Sequence, residues 1–565
     1  MVAIVYGSFN PILLQGEIGV EPGNSWPTNG GAPSIDFAVG AFTGKFELPD
    51  TIQVSEDWDA FAAALLAKTS QVNDAGIALA NFSANRFVGV GGGGGDRFEV
   101  TSRVGARIDG RGGDDTLEVS GANSADTLNG GDGDDRLTAW AGNDVVDGGD
   151  GNDSVFGGQG DDTIAGGAGI DTLMFGGGDP LTVSLAGPGP QAVGLHEGTD
   201  RISGFENLVG DGGADRLTGD DGANRLDGAT NGDTLDGGDG DDTLIGGAGR
   251  DSLAGGAGFD WISFAEAPGT MSVLLYSDYI VRNGSAATET DHATGVEGII
   301  GSAFWDDLAG DAAANAIRAG GGDDVVQGLE AADTLAGELG DDSLWGGDGN
   351  DIMSGDEGDD LFDGGAGGDT ADYRTAASAV TVNLAEAGPH DTGGAGIDIL
   401  VGIEALIGSG FRDWLAGDVE ANRIDGRGGQ DTLRGRFGAD TLFGAAGKDL
   451  IDGGAGGDRM SGGPGKDRYF YDAPDELAAD EPDVITDLSS EDRILLTSID
   501  AKADKAGNQA FELVDALTGR SGQAALVYDA EADATKLRLD IDGDGAADGM
   551  IVLLGDHGDF TNFAL

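Results

Sequence analysis

The chain has no cysteine, which excludes disulfide bonds and thiolate metal sites together. Basic residues are also scarce. Thirty lysines and arginines face 102 acids, a formal net charge of −72, so simple electrostatic attraction to nucleic acid or to an anionic membrane surface is excluded. Only four histidines occur, His196, His292, His390 and His557. No HExxH helix of a metalloprotease can be built from them, because His196-Glu197-Gly198-Thr199-Asp200 fails at the second histidine. A G-x-S-x-G nucleophile elbow and a Walker loop are likewise missing. No window approaches the roughly eighteen apolar residues of a membrane span, and the opening MVAIVYGSFNPILLQG lacks the basic n-region of a signal peptide.

What the chain has is glycine, 108 in 565 residues, and acid at a fixed period. Gly130 to Met174 reads GGDGDDRLT, AWAGNDVVD, GGDGNDSVF, GGQGDDTIA, GGAGIDTLM: five nine-residue units with an acid at place six and an apolar residue at place eight. A nine-residue step does not keep one face of a helix apolar at 3.6 residues per turn, so a repeat architecture is indicated. Places one to six are rich in glycine and acid and suit a sharp turn. Places seven to nine alternate polar, apolar, polar and suit a short strand. Two units then make one eighteen-residue coil of a flattened parallel helix, with Leu137, Val146, Val155, Ile164 and Leu173 pointing inward.

Successive coils lie about 4.8 Å apart, so the acids of alternate units, such as Asp135, Asp153 and Asp171, stack along one edge. Two unit charges at that spacing repel by roughly 3 kcal/mol at an effective dielectric of ~20. A cation must therefore enter the stack. Hard carboxylate and carbonyl oxygens in a flexible loop select Ca²⁺, which takes 6–8 oxygens at about 2.3–2.6 Å. Without calcium, such an acidic, glycine-rich composition reads as disorder, so binding and folding are expected to be one equilibrium.

These units resemble the GGxGxD nonapeptides of the repeats-in-toxin (RTX) family. The resemblance extends over roughly residues 91–471 and implies calcium-filled parallel β-rolls and export by type I secretion machinery. Read in phase, the candidate calcium ligands are Asp115, Asp126, Asp135, Asp144, Asp153, Asp162 and Asp171 in a first block. A second block has Asp215, Asn224, Asp233, Asp242, Asp251 and Asp260; a third has Asp306, Asn315, Asp324, Asp342, Asp351, Asp360 and Asp369. A fourth has Asp413, Asn422, Asp431, Asp449, Asp458 and Asp467. The asparagines keep either an oxygen ligand or a turn-forming side chain at lower charge. The units ending at Asp333 and Asp440 lack the glycine pair, and arginines at 427, 434 and 436 compete with a cation, so weak or empty sites are expected there.

The organisation follows from these phases. Residues 1–90 are read as a small α+β cap, with strands near Ile35–Val39 and Lys45–Leu48 and an amphipathic helix over about Glu56–Thr69 that carries Trp58, Phe61, Leu65 and Leu66. Residues 91–180 hold block 1. Residues 181–270, 271–379 and 380–471 each hold a linking strand and a further block, and each lead-in places an aspartate (Asp200, Asp291, Asp398) six residues before a glutamate (Glu206, Glu297, Glu404). From 472 to 565 the nonapeptide disappears. That stretch looks like the C-terminal domain of serralysin-type RTX proteins, which implies an uncleaved secretion signal at its end. The fold class expected is all-β: several calcium-filled parallel β-rolls in tandem between a small N-terminal cap and a C-terminal β domain.

Other constellations are weaker. Asp540, Asp542, Asp544 and Asp548 have the 1, 3, 5, 9 spacing of an EF-hand loop, but Ile551 stands at the twelfth place and apolar strands flank the loop, so a structural turn is favoured. Paired acids such as Asp134-Asp135 recur with the structural period, whereas a catalytic pair is needed once. Three histidines fall in inter-block loops, where a repeated structural or exposed role outweighs a zinc site. Trp140, Trp261, Trp305, Trp345 and Trp414 are read as packing on the roll rather than as carbohydrate platforms. The expectation is a secreted, non-enzymatic calcium-binding protein with a structural, surface-layer or adhesive role at the cell surface, with itself or a surface polysaccharide as further partners. The alternative is a secreted enzyme or effector with an unrecognised site in residues 1–90.

Overall fold

In the computed structural model the described residues are 87–565, apart from 103–104, 122, 188, 278, 283–288, 503–508 and 565, together with the backbone of four strands further upstream. Those four are Val2–Tyr6, antiparallel to Ile77–Asn81, and Ser34–Val39, antiparallel to Phe42–Glu47. The two strands expected near 35 and 45 are thus present as one hairpin. The helix expected over 56–69 lies outside the described residues. The chain divides into two compact units, Met1–Thr230 and Asn231–Leu565.

In the first unit the period becomes a parallel ladder with an eighteen-residue step. Arg136, Leu137 and Thr138 face Ser154, Val155 and Phe156. On the opposite face Thr127–Asp132, Val145–Asp150 and Thr163–Ala168 stack in the same way. The two faces enclose a single file of place-eight side chains: Leu137, Val146, Val155, Ile164 and Leu173 are all at most 1 % exposed. Each is surrounded by its counterparts in the coils above and below, which removes nearly all its apolar area from water, ~2 kcal/mol per side chain. The glycine pairs are not confined to turns: Gly149 faces Gly167 within the second ladder, which continues through place three.

The second unit repeats this build. One face stacks Ala316–Gly321, Thr334–Leu339, Ile352–Glu357 and Thr370–Asp372, the other Val325–Glu330, Ser343–Gly349 and Leu361–Gly367, around Ile317, Val326, Leu335, Leu344, Met353 and Phe362.

The blocks are joined without a break on one face. Thr172–Met174 pairs directly with Asn207–Val209, Trp261–Ser263 with Gly298–Ile300, and Thr370–Asp372 with Ala405–Ile407. The intervening residues form a junction on the other face, where an antiparallel strand (Pro190–Gly194, Tyr279–Arg282 or His390–Asp391) reverses the chain. The ladder also passes residue 471: Arg459–Ser461 pairs with Asp483–Ile485, and Arg468–Phe470 with Arg493–Leu495. The unit ends in an antiparallel meander of Gln523–Asp529, Ala534–Asp540 and Gly549–Leu554, while Phe563–Ala564 adds parallel to the Arg493–Leu495 strand.

Candidate metal centre

Place six is the point at which the turn enters the strand, and its side chain is drawn inward. Asp135, Asp144, Asp153, Asp162 and Asp171 are no more than 2 % exposed. Each carboxylate receives the backbone N–H of its counterpart one coil earlier. Asp115 N donates to Asp135 Oδ1 at 2.7 Å, Asp135 N to Asp153 Oδ1 at 2.8 Å, and Asp153 N to Asp171 Oδ1 at 2.8 Å. The second edge does the same through Asp126, Asp144 and Asp162, at 2.7 Å each. The stacking of alternate acids expected from the period is therefore present, tied by one hydrogen bond per coil.

The other oxygen is the informative one. Oδ2 of Asp115, Asp135, Asp144, Asp153, Asp162 and Asp171 is buried with no hydrogen-bond partner, and so is Oδ2 of Asp324, Asp342, Asp351, Asp360, Asp369, Asp431, Asp449, Asp458 and Asp467. An anionic oxygen in that state costs several kcal/mol. Glycine at place one keeps the space beside it open: a methyl at Gly148 would overlap both Asp153 Oδ2 and the carbonyl oxygen of Gly166. Carboxylate and carbonyl oxygens thus converge on a gap that no side chain fills. Burial, more than the neighbouring acids, pushes Asp144, Asp162 and Asp342 up to about 7 and Asp360 to about 8, against the opposing pull of the backbone N–H each accepts. This all-oxygen donor set fits a hard divalent cation such as calcium.

Place two decides where the gap opens. Gly131, Gly149, Gly167, Gly347 and Gly365 have φ between +95° and +122° there. Where glycine is lacking, Arg111, Trp140, Leu329, Glu338, Asp356 and Arg436 are held at positive φ in the same place, at a cost of ~1–2 kcal/mol each. The units of Leu329 and Arg436 therefore keep the common turn, and Oδ2 of Asp333 and Asp440, from which little was expected, is buried and unpartnered like the rest.

The first coil of each later block has a different turn. At place two, Asp211, Asp220, Ser302, Asp311, Ser409 and Asp418 have no positive φ, and their N–H groups close back onto Asp215, Asn224, Asp306, Asn315, Asp413 and Asn422. The asparagine amides also donate to the carbonyls of Glu206, Glu297 and Glu404. Of these six candidate ligands, the asparagines were expected to be either ligand or turn residue; in the structure one oxygen of each side chain caps the turn, because an ordinary backbone at place two aims its N–H at it.

Other members of the columns were not foreseen. Asp162, Asp251 and Asp360 donate to Asp200, Asp291 and Asp398, and Asp171, Asp260 and Asp369 donate to Glu206, Glu297 and Glu404. The recurring six-residue spacing of those lead-in acids was the signal: one belongs to each edge. Asp483 and Asp492 complete the columns beyond the nonapeptides. The paired acids find a structural use, since place-five Asp134 caps the Asn152 N–H and Asp341 the Asp359 N–H. Asp540, Asp542 and Asp548 lie together, but Asp540 and Asp548 each accept backbone N–H groups of their own loop.

The histidines do not share one role. His196 pairs with Asp179, His292 is exposed on a strand beside Ser252, and His390 Nδ1 donates to the Gly388 carbonyl. Trp140 and Trp305 are 48 % and 46 % exposed; Trp140 packs edge-on to Phe156 and bonds Glu118. Among the described residues no helix is long and apolar enough to cross a membrane.

A family model described as Peptidase M10 serralysin C terminal matches residues 106–565. No curated protein matches the chain. Among solved structures, the chain is similar to the AlgE6R2 subunit of the Azotobacter vinelandii mannuronan C5-epimerase, with 24 % identity, 27 % of this chain and 91 % of that chain covered, and a TM-score of 0.22. The AlgE6R3 subunit of the same enzyme follows with 28 % identity, 27 % and 78 % covered, and a TM-score of 0.18.

Proposed function

The chain belongs to the Peptidase M10 serralysin C-terminal family, and from that premise we propose that it is an exported calcium-binding repeat protein that folds where calcium is plentiful and then serves as a structural or adhesive component at the cell surface. Calcium, when bound, supplies positive charge to the buried columns. The chain's own part is to hold the place-six carboxylates in register through the backbone N–H of the preceding coil and to keep the adjoining gap open with glycine or a strained residue. The observation that carries the reading is the column of buried, unpartnered Oδ2 atoms. Export by type I machinery accords with the family and with the lack of cysteine. A non-enzymatic role accords with the absence of HExxH and nucleophile-elbow motifs from the sequence and with the periodic use of the place-six acids. The N-terminal ninety residues are the segment that would mediate contact between copies or with a surface polysaccharide. Calcium titration of the purified protein, followed by light scattering and imaging, tests the surface role. Ordered sheets or filaments are expected in calcium, and a chain that folds but stays monomeric at every concentration would overturn it.

A further inference from the structure

Strand register carries one outward row across the sheet of the fourth block and on into the C-terminal meander. Arg423 pairs with Thr441, Thr441 with Arg459, Arg459 with Val484, Val484 with Val552, and Val552 with Lys536. The row holds three cations and no acid, in a chain where 102 acids outnumber 30 bases. In the third block the same row, Ala316, Thr334, Ile352 and Thr370, is neutral. Arg538 is the next outward residue on the Lys536 strand and faces Met550. Lys536 is bonded to Asp529 at 3.1 Å. Arg423, Arg459 and Arg538, by contrast, make no ion pair among the described residues. Arg423 and Arg459 are exposed, and the Arg423 guanidinium lies 4.3 Å from the Phe443 ring centroid, which holds it on the sheet.

A surface of the opposite sign stands on a turn edge of the third block. Asp323, Asp341 and Asp359 occupy place five of successive coils. Asp341 N donates to Asp323 Oδ1 at 3.2 Å, Asp359 N to Asp341 Oδ1 at 2.9 Å, and Ile397 N to Asp359 Oδ1 at 2.9 Å. All three side chains are exposed, outside the buried columns. Trp305 and Ile397, each 46 % exposed, bound the stack one coil before and one coil after, and Leu339, 56 % exposed, stands beside Asp341. The edge thus interleaves acid with apolar surface as the face interleaves base with Phe443, Val484 and Val552. Both patterns are set by the same coil spacing. Arg423 and Arg459 are two strands apart, about 9.6 Å, and so are Asp323 and Asp359.

From this complementarity we infer that the outward face running from Arg423 to Arg538 docks a second copy of this chain, through the place-five edge of that copy's third block. The inference rests on the self-association proposed above and adds a lateral contact to the one assigned to the N-terminal ninety residues. The two patches differ, so the contact is heterologous and each copy can both give and receive it, which extends an array. The acids engaged are not those of the columns, so docking does not compete for the columns' ions.

The test uses the full chain in calcium, with light scattering to read the concentration at which assembly begins and circular dichroism to read folding. A face variant, Arg423→Gln with Arg459→Gln, removes charge from the row. An edge variant, Asp323→Asn with Asp341→Asn and Asp359→Asn, removes charge and keeps the turn caps, since Asn350 caps the Gly368 N–H at 2.8 Å in the natural chain. Each is expected to keep the wild-type spectrum and to raise the assembly concentration by roughly tenfold or more. The combined variant is expected to do no worse than either alone, because both sets act on one contact. Losses that multiply in the combined variant, or a face variant that assembles like the wild type, overturn the inference and leave the structural reading standing. A wild type that stays monomeric at every concentration overturns both. A face variant that assembles normally but loses wild-type retention on polygalacturonate gives the surface to an acidic polysaccharide, and the inference falls. Should the edge variant fail to fold, Arg423→Glu with Arg459→Glu decides: reversal is expected to raise the assembly concentration further than neutralisation does, and an equal or smaller effect overturns the inference.

Discussion

Removing calcium should make the stability of this protein depend on pH in the direction opposite to that of an ordinary acidic domain. Burial raises the carboxyls of Asp144, Asp162, Asp324 and Asp342 from 3.8 to about 7. A raised carboxyl means that the folded chain binds more protons than the unfolded one between about pH 4 and 7, so its contribution is fully present below the unfolded value and is lost as pH rises through the folded one. A three-unit shift is worth at most ~4 kcal/mol, less where solvent screens the group, and four such groups together are comparable with the ~5–15 kcal/mol by which a domain is stable at all. The metal-free coils therefore cannot remain folded with every column ionised. In excess chelator, circular dichroism should show substantially more β structure at pH 5 than at pH 8, and millimolar calcium should restore the pH 8 spectrum. An unchanged spectrum across that range in chelator would refute the reasoning, since it would mean that the buried oxygens need neither proton nor cation.

Two further outcomes follow from the same geometry. Gly151→Ala puts a side chain at φ +134° against the carbonyl oxygen of Gly133, whereas Gly94→Ala meets nothing within 4 Å; the first should lower stability in calcium by ~1–3 kcal/mol, the second by a few tenths at most, as read by urea titration. Glu404→Ala takes away the acceptor of the Asp369 N–H across the third junction and should cost ~1–3 kcal/mol, seen as a higher calcium midpoint for folding; an unshifted midpoint would show that the junction contributes nothing to the column.

The inward residues and the eighteen-residue coil were legible because the period is short and strict: Leu137 and Val155 occupy the same place two units apart, and they are partners in the ladder. The stacking of Asp135 on Asp153 followed from the same count. Legibility failed where the count changes. Between Asp162 and Asp200 the step is 38 residues, and between Asp171 and Glu206 it is 35, so the eighteen-residue count does not carry across the junction and only the recurring six-residue spacing of the two lead-in acids points to a column. The turn-capping role of Asp215, unlike that of Asn224, was hidden for another reason. It depends on the backbone angle at place two, which a sequence reports only when glycine stands there, and Trp140 and Leu329 show that other residues are forced into the same angle.

The columns have a direction. The place-six N–H groups of the columns point to carboxylates made later in the chain, eighteen to twenty residues on within a block and 25 to 40 across a junction or at the end of the repeats, and the last of these acceptors, Asp483 and Asp492, lie in the C-terminal part of the chain, where Asn562 bonds the Asp492 carbonyl and Phe563–Ala564 adds to the sheet. A coil at the growing N-terminal side of an incomplete chain thus offers amides with no acceptor, while a chain whose C-terminal end is free first presents waiting carboxylates to each coil that arrives. Within a unit this direction predicts a zipper that closes from its C-terminal coil towards its N-terminal one, so that removal of the last coil of the second unit is expected to be felt several coils upstream.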